Sequence, residues 1–347
     1  MGKTSYSNPS GEYHMKSKGL FILVICAIAA MLLVAGCTDD KPASEKDTIV
    51  FGYQPSTHQI SYMVAMDKGW WKQDLAPFGI TKIEDHKFPT GAPEMQAMLS
   101  GDIDVAYVGA APVISALATG GLDGAKIVAA VQVNGSDLVI RNEHPYNSPQ
   151  DLKGLKIATF PPGTIQDTIL RDWLQSNGVN PDKDVDIRPM GPGDATVAIS
   201  EKAVDAVFLP HPAPSTIVAE GHGYIAVHSG EMAPNHACCV LVVSGDLIRN
   251  HPDMVVQIIK THIKGSEFST ANIDEASQIY YNMNKVEIAV IKDSFATWDG
   301  RLITDPSIII PSVVSYTKIQ ADLGYIPRPM TADEIFDVSF YQKATQA

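Results

Sequence analysis

Short polar loops carry the side chains of this sequence that are best suited to binding a ligand. The loops follow short apolar runs, and several precede helical patterns, so free backbone N–H groups and the positive end of a helix dipole would face a common point. Most of the side chains are neutral donors, which suit reversible capture of a small anion. The candidate ligand-binding residues are Gln54, Thr57, His58, Thr90, Gly91, Gly109, Ala110, Ala111, Asn134, Gly163, Thr164, Gln166 and His211.

Three histidines raise an alternative to simple binding. His58, His211 and His236 lie in loops or at strand ends of the pattern, where a histidine and a carboxylate could act as acid and base. The sequence has no nucleophile elbow, phosphate-binding lysine loop, dinucleotide glycine motif or zinc-binding HExxH motif. We therefore expect a protein that is not an enzyme and has no cofactor, with an enzyme using one of these histidines as the alternative.

The four cysteines give no metal-binding spacing. Cys26 lies in an apolar N-terminal run and Cys37 follows it, which leaves the adjacent pair Cys238 and Cys239. A disulfide between neighbours is strained, and no C-x-x-C spacing is present. We expect the pair to be small buried residues at the start of a strand, and we predict no metal site.

The N-terminus has the parts of a secretory signal. Residues 19–36 are apolar and uncharged and follow Lys16 and Lys18. The run Val34-Ala35-Gly36-Cys37 resembles the lipobox of prokaryotic lipoproteins, so we predict a signal peptide over 1–36, lipidation of Cys37 and a tether over 37–47. The apolar run is also just long enough to span a bilayer, so an uncleaved anchor stays open. Either outcome places the rest of the chain outside the cytoplasmic membrane, anchored to it.

Composition sets the scale of the fold and excludes some partners. A chain of 347 residues with 45% apolar residues is long enough for two lobes, each with its own core. The net charge of -13 argues against nucleic acid and against a basic membrane-binding surface.

The elements that must position the loops form an α/β pattern. Short apolar strands alternate with helices, and ligand loops are expected at the carboxyl ends of the strands. Strands are predicted over residues 48–52, 103–108, 125–131, 138–141, 155–159, 205–212 and 238–244. A tail of helices follows, and we expect it to pack mostly around the first lobe.

The strand and helix series occurs twice, about a hundred residues apart. Glycine and proline punctuation alone would match in any two α/β units, but here the order matches over the whole unit. The matched pairs are Gln59 with Gln166, Gly79 with Gly178, Pro89 with Pro189, Gly91 with Gly191, Ser100 with Ser200, Asp104 with Asp205, and Pro112 with Pro212. We predict two lobes of one topology, the first over 48–138, the second over 139–238, and a return to the first lobe with C-terminal helices over 239–347. The strands LVIR (138–141) and VLVVS (240–244) are the expected hinges.

From residue 49 to about 252 the chain resembles the solute-binding proteins of ABC transporters in the nitrate, alkanesulfonate and taurine group. The matching motifs occur in order: IVFGYQPSTHQ, VAMDKGWW, MLSGDIDVAYVGAAP, DLKGLKIATFPPGT, VDAVFLPHP and LIRNHPDMV. The resemblance implies a two-lobed periplasmic-binding-protein-like fold of type II, in which each lobe is a mixed sheet flanked by helices and two hinge strands join them.

The resemblance also implies a function and partners. The lobes of a monomer would close on a small anion or zwitterion, a sulfonate, taurine or nitrate-like ion, and deliver it to a permease driven by an ATPase. Relatives often carry Glu-Pro where this chain has His211-Pro212, which weakens a taurine assignment. Binders of pyrimidine precursors and thiamin-related enzymes share the fold, and the His-x-Cys-Cys run at 236–239 keeps that alternative open.

Overall fold

The computed structural model describes residues 46–346, together with the isolated residues 2 and 5. The predicted signal peptide, the lipidation site Cys37 and most of the predicted tether lie outside the described residues. Residues 46–346 belong to one unit.

Eleven strands in this part of the chain form two sheets. In chain order they are β1 (Thr48–Tyr53), β2 (Lys82–Lys87), β3 (Val105–Gly109), β4 (Lys126–Val133), β5 (Ser136–Ile140), β6 (Lys156–Thr159), β7 (Asp186–Pro189), β8 (Ala206–Pro210), β9 (Tyr224–His228), β10 (Ala237–Val243) and β11 (Arg301–Leu302). The first sheet has the order β11-β4-β10-β3-β1-β2, and the second has the order β7-β6-β8-β5-β9.

The two sheets share one topology, which agrees with the predicted repeat. In the first sheet β1 pairs in parallel with β2 and β3, and β10 runs antiparallel between β3 and β4. In the second sheet β6 pairs in parallel with β7 and β8, and β5 runs antiparallel between β8 and β9.

The matched residues Asp104 and Asp205 perform the same structural task in their sheets. The Asp104 carboxylate accepts from the Val50 N–H at 3.0 Å, and the Asp205 carboxylate accepts from the Lys156 N–H at 2.9 Å. Each aspartate therefore satisfies a backbone donor in the strand next to its own. These residues stabilise the sheets and lie outside the cleft described below.

Fifteen α-helices surround the sheets in the described part of the chain. They are α1 (Ile60–Asp67), α2 (Trp70–Leu75), α3 (Gly91–Ser100), α4 (Ala110–Ala118), α5 (Ile165–Ser176), α6 (Pro192–Ser200), α7 (Ala213–Ala219), α8 (Ser229–Met232), α9 (Gly245–Asn250), α10 (Pro252–Ala271), α11 (Ile273–Asn284), α12 (Ile288–Thr297), α13 (Ile310–Asp322), α14 (Ala332–Ile335) and α15 (Ser339–Thr345). No helix among the described residues is both long and apolar enough to cross a membrane.

The core of the first sheet is aromatic. Phe51 packs with its ring centroid 4.6 Å from that of Trp71 and 5.3 Å from that of Tyr62. Trp71 is fully buried, so it belongs to the core of this sheet. Helices α1 and α2 are thereby packed on β1, the strand that precedes the first ligand loop.

The chain crosses between the sheets in a place that differs from the prediction. Strand β5 begins at Ser136 and lies wholly in the second sheet, and β10 lies wholly in the first. The expected hinge strands LVIR and VLVVS therefore do not cross. The first crossing falls at Asn134 and Gly135, whose φ angles of 55° and 83° turn the chain, and the second falls between β9 and β10, just before the predicted boundary.

The tail packs on both sheets, and not mostly on the first. Helix α10 packs on α1, which agrees with the expectation, but α12 packs on α7 of the second sheet. Helix α13 contacts both α4 and α5. The tail returns to the crossing through β11, whose Arg301 pairs with Val133 at the end of β4, so helices on either side of β11 can cover both sheets.

Candidate functional site

A cleft of about 470 Å³ lies between the carboxyl ends of strands from both sheets. Gln54 follows β1, Pro89 follows β2 and Gly109 ends β3, so the first sheet supplies one wall. Phe160 follows β6 and Pro210 ends β8, so the second sheet supplies the other. The doubled topology thus brings equivalent ends of the two sheets to one point.

Seven of the thirteen candidate residues line this cleft. They are Gln54, His58, Gly91, Gly109, Thr164, Gln166 and His211. The structure brings them together, and their role as ligand contacts stays a prediction.

The other six candidates lie outside the lining, because their polar groups are turned to protein partners or their side chains are packed. Thr57 is fully buried, with its hydroxyl 3.5 Å from that of Ser294. The Asn134 amide donates to the Asp299 carbonyl at 3.3 Å. Thr90 precedes α3 and is buried.

Backbone carbonyls of two further candidates bind a glutamine of the tail. The Gln320 amide donates to the Ala111 carbonyl at 3.2 Å and to the Gly163 carbonyl at 3.3 Å. Ala110 begins α4 and is fully buried. The two walls are thereby held together, because Gln320 of α13 binds the first turn of α4 in one wall and the loop before α5 in the other.

His58 is fixed with one ring nitrogen facing two thiols. Its Nε2 lies 2.6 Å from the Gly135 carbonyl oxygen, so Nε2 carries the proton and donates. The unprotonated Nδ1 lies 3.4 Å from Cys238 Sγ and 3.9 Å from Cys239 Sγ. Gly135 has a φ of +83°, and a Cβ there would lie 2.9 Å from His58 Nε2, so the contact requires glycine.

Each thiol also accepts from a glutamine of one sheet. The Gln59 amide lies 3.9 Å from Cys239 Sγ, and the Gln166 amide lies 3.8 Å from Cys238 Sγ. Both cysteines are free, buried and at the start of β10, as predicted, and they also line the cleft. The hydrogen bond from Cys238 lowers the pKa of the Cys239 thiol.

His211 lines the cleft with a ring that is already bound on both sides. Its Nε2 lies 2.7 Å from Asp137 Oδ2, and its Nδ1 lies 3.0 Å from the Ser294 hydroxyl. The His211 carbonyl accepts from the Ser56 hydroxyl at 2.9 Å across the cleft floor. His211 therefore joins the two walls and is a poor candidate for an acid or base.

Asp137 is the buried carboxylate that orders this wall. Its second oxygen accepts from His228 Nδ1 at 2.8 Å. Burial works to raise the pKa of Asp137, but the hydrogen bonds from His211 and His228 outweigh burial and lower it. The hydrogen bond to Asp137 in turn raises the pKa of His228.

His236, the third histidine of the enzyme alternative, is placed wrongly for that role. It does not line the cleft, and its Nδ1 lies 3.2 Å from the buried Tyr316 hydroxyl. Burial lowers the pKa of His236 to about 4, so the ring is neutral at physiological pH. Of the three histidines, only His58 keeps a ring atom that faces other reactive groups of the cleft.

The tail supplies lining residues that the sequence did not indicate. Tyr280, Met283 and Asn284 of α11, with Val286 after it, close one side of the cleft. The Tyr280 hydroxyl donates to the Pro55 carbonyl at 2.9 Å, which fixes α11 to the first loop. Nothing in the repeated pattern extends to these residues, so no signal in the sequence could have placed them.

Charge is scarce around the cleft. Among residues 46–346, one charged side chain lines it, that of Lys87, and its ammonium donates to the Met283 carbonyl at 2.9 Å and to Asn284 Oδ1 at 3.1 Å. Behind Gln54 lies the fully buried Glu94, whose Oε2 accepts from the Gln54 amide at 2.9 Å. Burial raises the pKa of Glu94 well above its usual range, which favours the neutral acid.

Comparison with known proteins gives the family. The model of the NMT1-like family matches residues 42–281. The nitrate/nitrite binding protein NrtA of Nostoc sp. is 23% identical over 339 residues, covering 83% of this chain and 76% of that protein.

Two solved structures have the same fold. The alkanesulfonate-binding protein SsuA of Xanthomonas axonopodis pv. citri, bound to MOPS, has a TM-score of 0.74 at 18% identity and covers 85% of this chain and 99% of its own. The ligand-binding component of an ABC-type import system of Staphylococcus aureus, with zinc bound, has a TM-score of 0.72 at 20% identity and covers 87% of this chain and 100% of its own. These likenesses confirm the periplasmic-binding-protein-like fold, and the match over residues 42–281 shows that the chain belongs to the NMT1-like family.

Proposed function

We propose that this chain is the extracytoplasmic solute-binding subunit of an ABC importer and that it captures a small organic anion between its two sheets. The cleft lined by strand ends of both sheets carries this proposal, because a solute held there would contact both walls at once. Contacts made only when both walls meet would favour the closed form. The importer role is supported by the relatives, which include a component of an ABC-type import system and a nitrate-binding protein.

Size and lining favour an organic solute over an inorganic ion. A cleft of about 470 Å³ is in the range that holds ligands of drug size, and nitrate would leave most of it filled with water. Apolar side chains such as Phe160, Ile165 and Met283 form much of the wall. An anionic head group with an apolar body, such as an aliphatic sulfonate, fits this surface better.

The head group would be held mainly by backbone and neutral side chains. Helices α3 and α5 begin at the lining residues Gly91 and Ile165, so their free N–H groups and dipoles face the cleft. Thr164 caps α5, because its hydroxyl accepts from the Asp167 N–H at 3.4 Å. We propose that the seven candidate residues that line the cleft contact the solute.

Calorimetric titration tests this function. The chain is titrated with aliphatic sulfonates, taurine, nitrate and pyrimidine precursors, and we expect saturable heat with a sulfonate. Heat with a pyrimidine precursor alone would mean that the solute is a heterocycle and not an anion. No heat with any of these compounds would contradict the solute-binding role of the cleft.

A bulky substitution in the cleft gives a matched pair of variants. Nothing lies within 4 Å of a Cβ built at Gly193, which lines the cleft near the start of α6, so Gly193→Trp should fill the cleft and lower the affinity at least tenfold. The next residue, Asp194, is exposed and outside the lining, so Asp194→Trp should leave the affinity within twofold. Equal affinities for the two variants would place the solute elsewhere.

We also propose that the chain is a monomer attached to the cytoplasmic membrane through lipidated Cys37 and that it delivers its solute to a permease and ATPase. The lipobox-like run and the import-system relatives support this proposal. Mass spectrometry of the membrane-extracted protein should show a diacylglyceryl addition at Cys37, which Cys37→Ser abolishes. An uncleaved N-terminus with no lipid on Cys37 would contradict the lipid anchor.

A further inference from the structure

We propose that His58 Nδ1, Cys238 Sγ and Cys239 Sγ bind one soft divalent cation of the Zn²⁺ type, with an open coordination position facing the cleft. This inference concerns a second ligand of the molecule and does not depend on which solute the cleft captures.

The three atoms already have the spacing of a metal site. Zn–N and Zn–S bonds of about 2.1 and 2.3 Å at a tetrahedral angle put nitrogen and sulfur about 3.6 Å apart. The observed separations from His58 Nδ1 are 3.4 Å to Cys238 Sγ and 3.9 Å to Cys239 Sγ, and all three atoms lie within 4.8 Å of one another. Only small side-chain shifts are needed to bring them to one ion.

His58 is held in the tautomer that a metal requires. A metal-bound histidine usually donates its other ring N–H to a carbonyl or carboxylate. The 2.6 Å contact from His58 Nε2 to the Gly135 carbonyl is that bond, and it leaves the Nδ1 lone pair toward the sulfurs. Gly135 itself is fixed, because its N–H donates to Asp299 Oδ1 at 2.8 Å.

The sulfurs are oriented by the matched glutamines. Gln59 donates to Cys239 and Gln166 donates to Cys238, and amide donors of this kind stabilise thiolate ligands. Because Gln59 precedes α1 and Gln166 lies in the first turn of α5, one support comes from each wall. The site is therefore complete when the two walls are in the arrangement seen here.

The charge balance is simple. Binding M²⁺ releases to solvent whatever protons the two thiols still carry, so two thiolates and one neutral imidazole give a neutral centre. Three protein ligands leave the fourth position of a tetrahedral ion open, and all three residues line the cleft. The open position would be taken by water or by a donor atom of a solute.

A second cluster in the structure provides a control. The donor atoms of Asp137, His228 and Asp299 also lie within 4.8 Å of one another. Their carboxylates already accept from protein donors, since Asp299 Oδ1 binds the Gly135 N–H and Asp137 Oδ1 lies 2.8 Å from His228 Nδ1. We expect this cluster to bind no ion.

Cobalt titration tests the site. The full chain carrying Cys26→Ser and Cys37→Ser, so that Cys238 and Cys239 are its only thiols, is reduced, freed of metal and titrated with Co²⁺. We expect one equivalent to bind with an intense near-ultraviolet thiolate-to-cobalt band and visible bands of a tetrahedral centre, and Zn²⁺ to displace it. No thiolate band at one equivalent would overturn the proposal.

Variants assign the ligands. Cys238→Ser, Cys239→Ser and His58→Ala should each weaken Co²⁺ binding at least tenfold, and His228→Ala should not change it. A loss of binding in His228→Ala with binding retained in the three others would move the metal to the control cluster and overturn the assignment.

Thiol protection keeps the proposal testable if a cysteine variant fails to fold. In the two-thiol background, iodoacetamide labelling of the peptide that contains residues 238 and 239 is followed by mass spectrometry with and without Zn²⁺. Stoichiometric Zn²⁺ should slow labelling at least tenfold, and an unchanged rate would contradict the site.

Discussion

At the scale of single residues, Asp137 links two histidines, and the three side chains should make stability depend on pH. Asp137→Asn removes a charge that accepts two hydrogen bonds, so the free energy of unfolding should fall by about 1.5–3 kcal/mol near pH 6. The raised pKa of His228 means that its share of this stabilisation is complete below the unfolded value of about 6.5 and is lost as the pH rises through the folded value. The lowered pKa of Asp137 means that its share is lost as the pH falls below about 4.

Urea unfolding of the wild type and Asp137→Asn between pH 5.5 and 9 measures this difference. The effect of the substitution should shrink toward pH 9, because neutral His228 binds the carboxylate less strongly. As a control, His222→Asn removes a surface histidine 3.7 Å from Glu220 and should change little at any pH. A difference that stays constant from pH 5.5 to 9 would contradict the coupling of His228 to Asp137.

Glu94 should show the opposite dependence on pH. Its pKa is raised by burial, so folding takes up a proton, and the wild type loses stability as the pH rises above the unfolded value of about 4.3. The glutamine of Glu94→Gln cannot ionise. In urea unfolding, the free energy of unfolding of the variant should therefore rise relative to that of the wild type from pH 4.5 to pH 7.5. The exposed Glu201→Gln serves as the control, and equal gains for the two variants would mean that Glu94 is not held neutral.

At the scale of elements, two helical glycines should respond to alanine in opposite directions. A Cβ at Gly265 in α10 would clash with the Ser61 backbone oxygen of α1, and backbone cannot move aside easily. We expect Gly265→Ala to lower the free energy of unfolding by about 1–3 kcal/mol despite its better helix propensity. At Gly193 in α6 nothing lies within 4 Å, so Gly193→Ala should raise it by up to about 1 kcal/mol.

Thermal and urea unfolding of both alanine variants and the wild type measure these changes, and each variant serves as the control for the other. A stabilising effect of Gly265→Ala would show that α10 and α1 separate at little cost. The helix pair would then be less tightly packed than the contact at Ser61 indicates.

The strands were predictable where apolar runs were long and bounded by turns. The run at 48–52 became β1 and the run at 125–131 became β4. Strand β9 was missed, although Tyr224–His228 is rich in strand-forming residues and follows Gly223. The hinge was placed too late, because the left-handed turn at Asn134-Gly135 decides the crossing and the apolar run does not.

The candidate site was predictable in outline for a topological reason. Loops after β1, β3 and β8 meet because the carboxyl ends of the parallel strands converge. The cluster of His58, Cys238 and Cys239 was missed, because His58 and Cys238 are 180 positions apart in the sequence and no local spacing indicates that they meet. Two indications of it were present in the sequence, the His-x-Cys-Cys run at 236–239 and the pairing of Gln59 with Gln166 in the repeat, and of these residues only Gln166 was assigned to the site.

At the scale of the whole molecule, Gln320 is a single side chain that holds the two walls together. It is fully buried, and its amide donates to carbonyls at Ala111 and Gly163, which belong to different walls. Gln320→Leu leaves both carbonyls without this donor and should lower stability by about 1–3 kcal/mol. The substitution should also increase the radius of gyration in X-ray scattering, because the arrangement in which the two walls are in contact becomes less favoured.

The exposed Gln342 of α15 gives the control for this change. Gln342→Leu should leave both the radius of gyration and the stability close to the wild type. An unchanged radius of gyration in Gln320→Leu, at lower stability, would mean that Gln320 supports the fold without setting the distance between the walls.

The insertion of β10 between β3 and β4 has a consequence for how the protein is made. The second sheet is continuous in sequence, from β5 to β9, whereas the first sheet lacks the strand that joins β3 to β4 until β10 emerges from the ribosome after it. Until then β3 and β4 present unpaired edges, which are templates for aggregation. We therefore expect the second lobe to fold first during synthesis, and a nascent chain that stops before residue 237 to need a chaperone or an export factor to protect its first half.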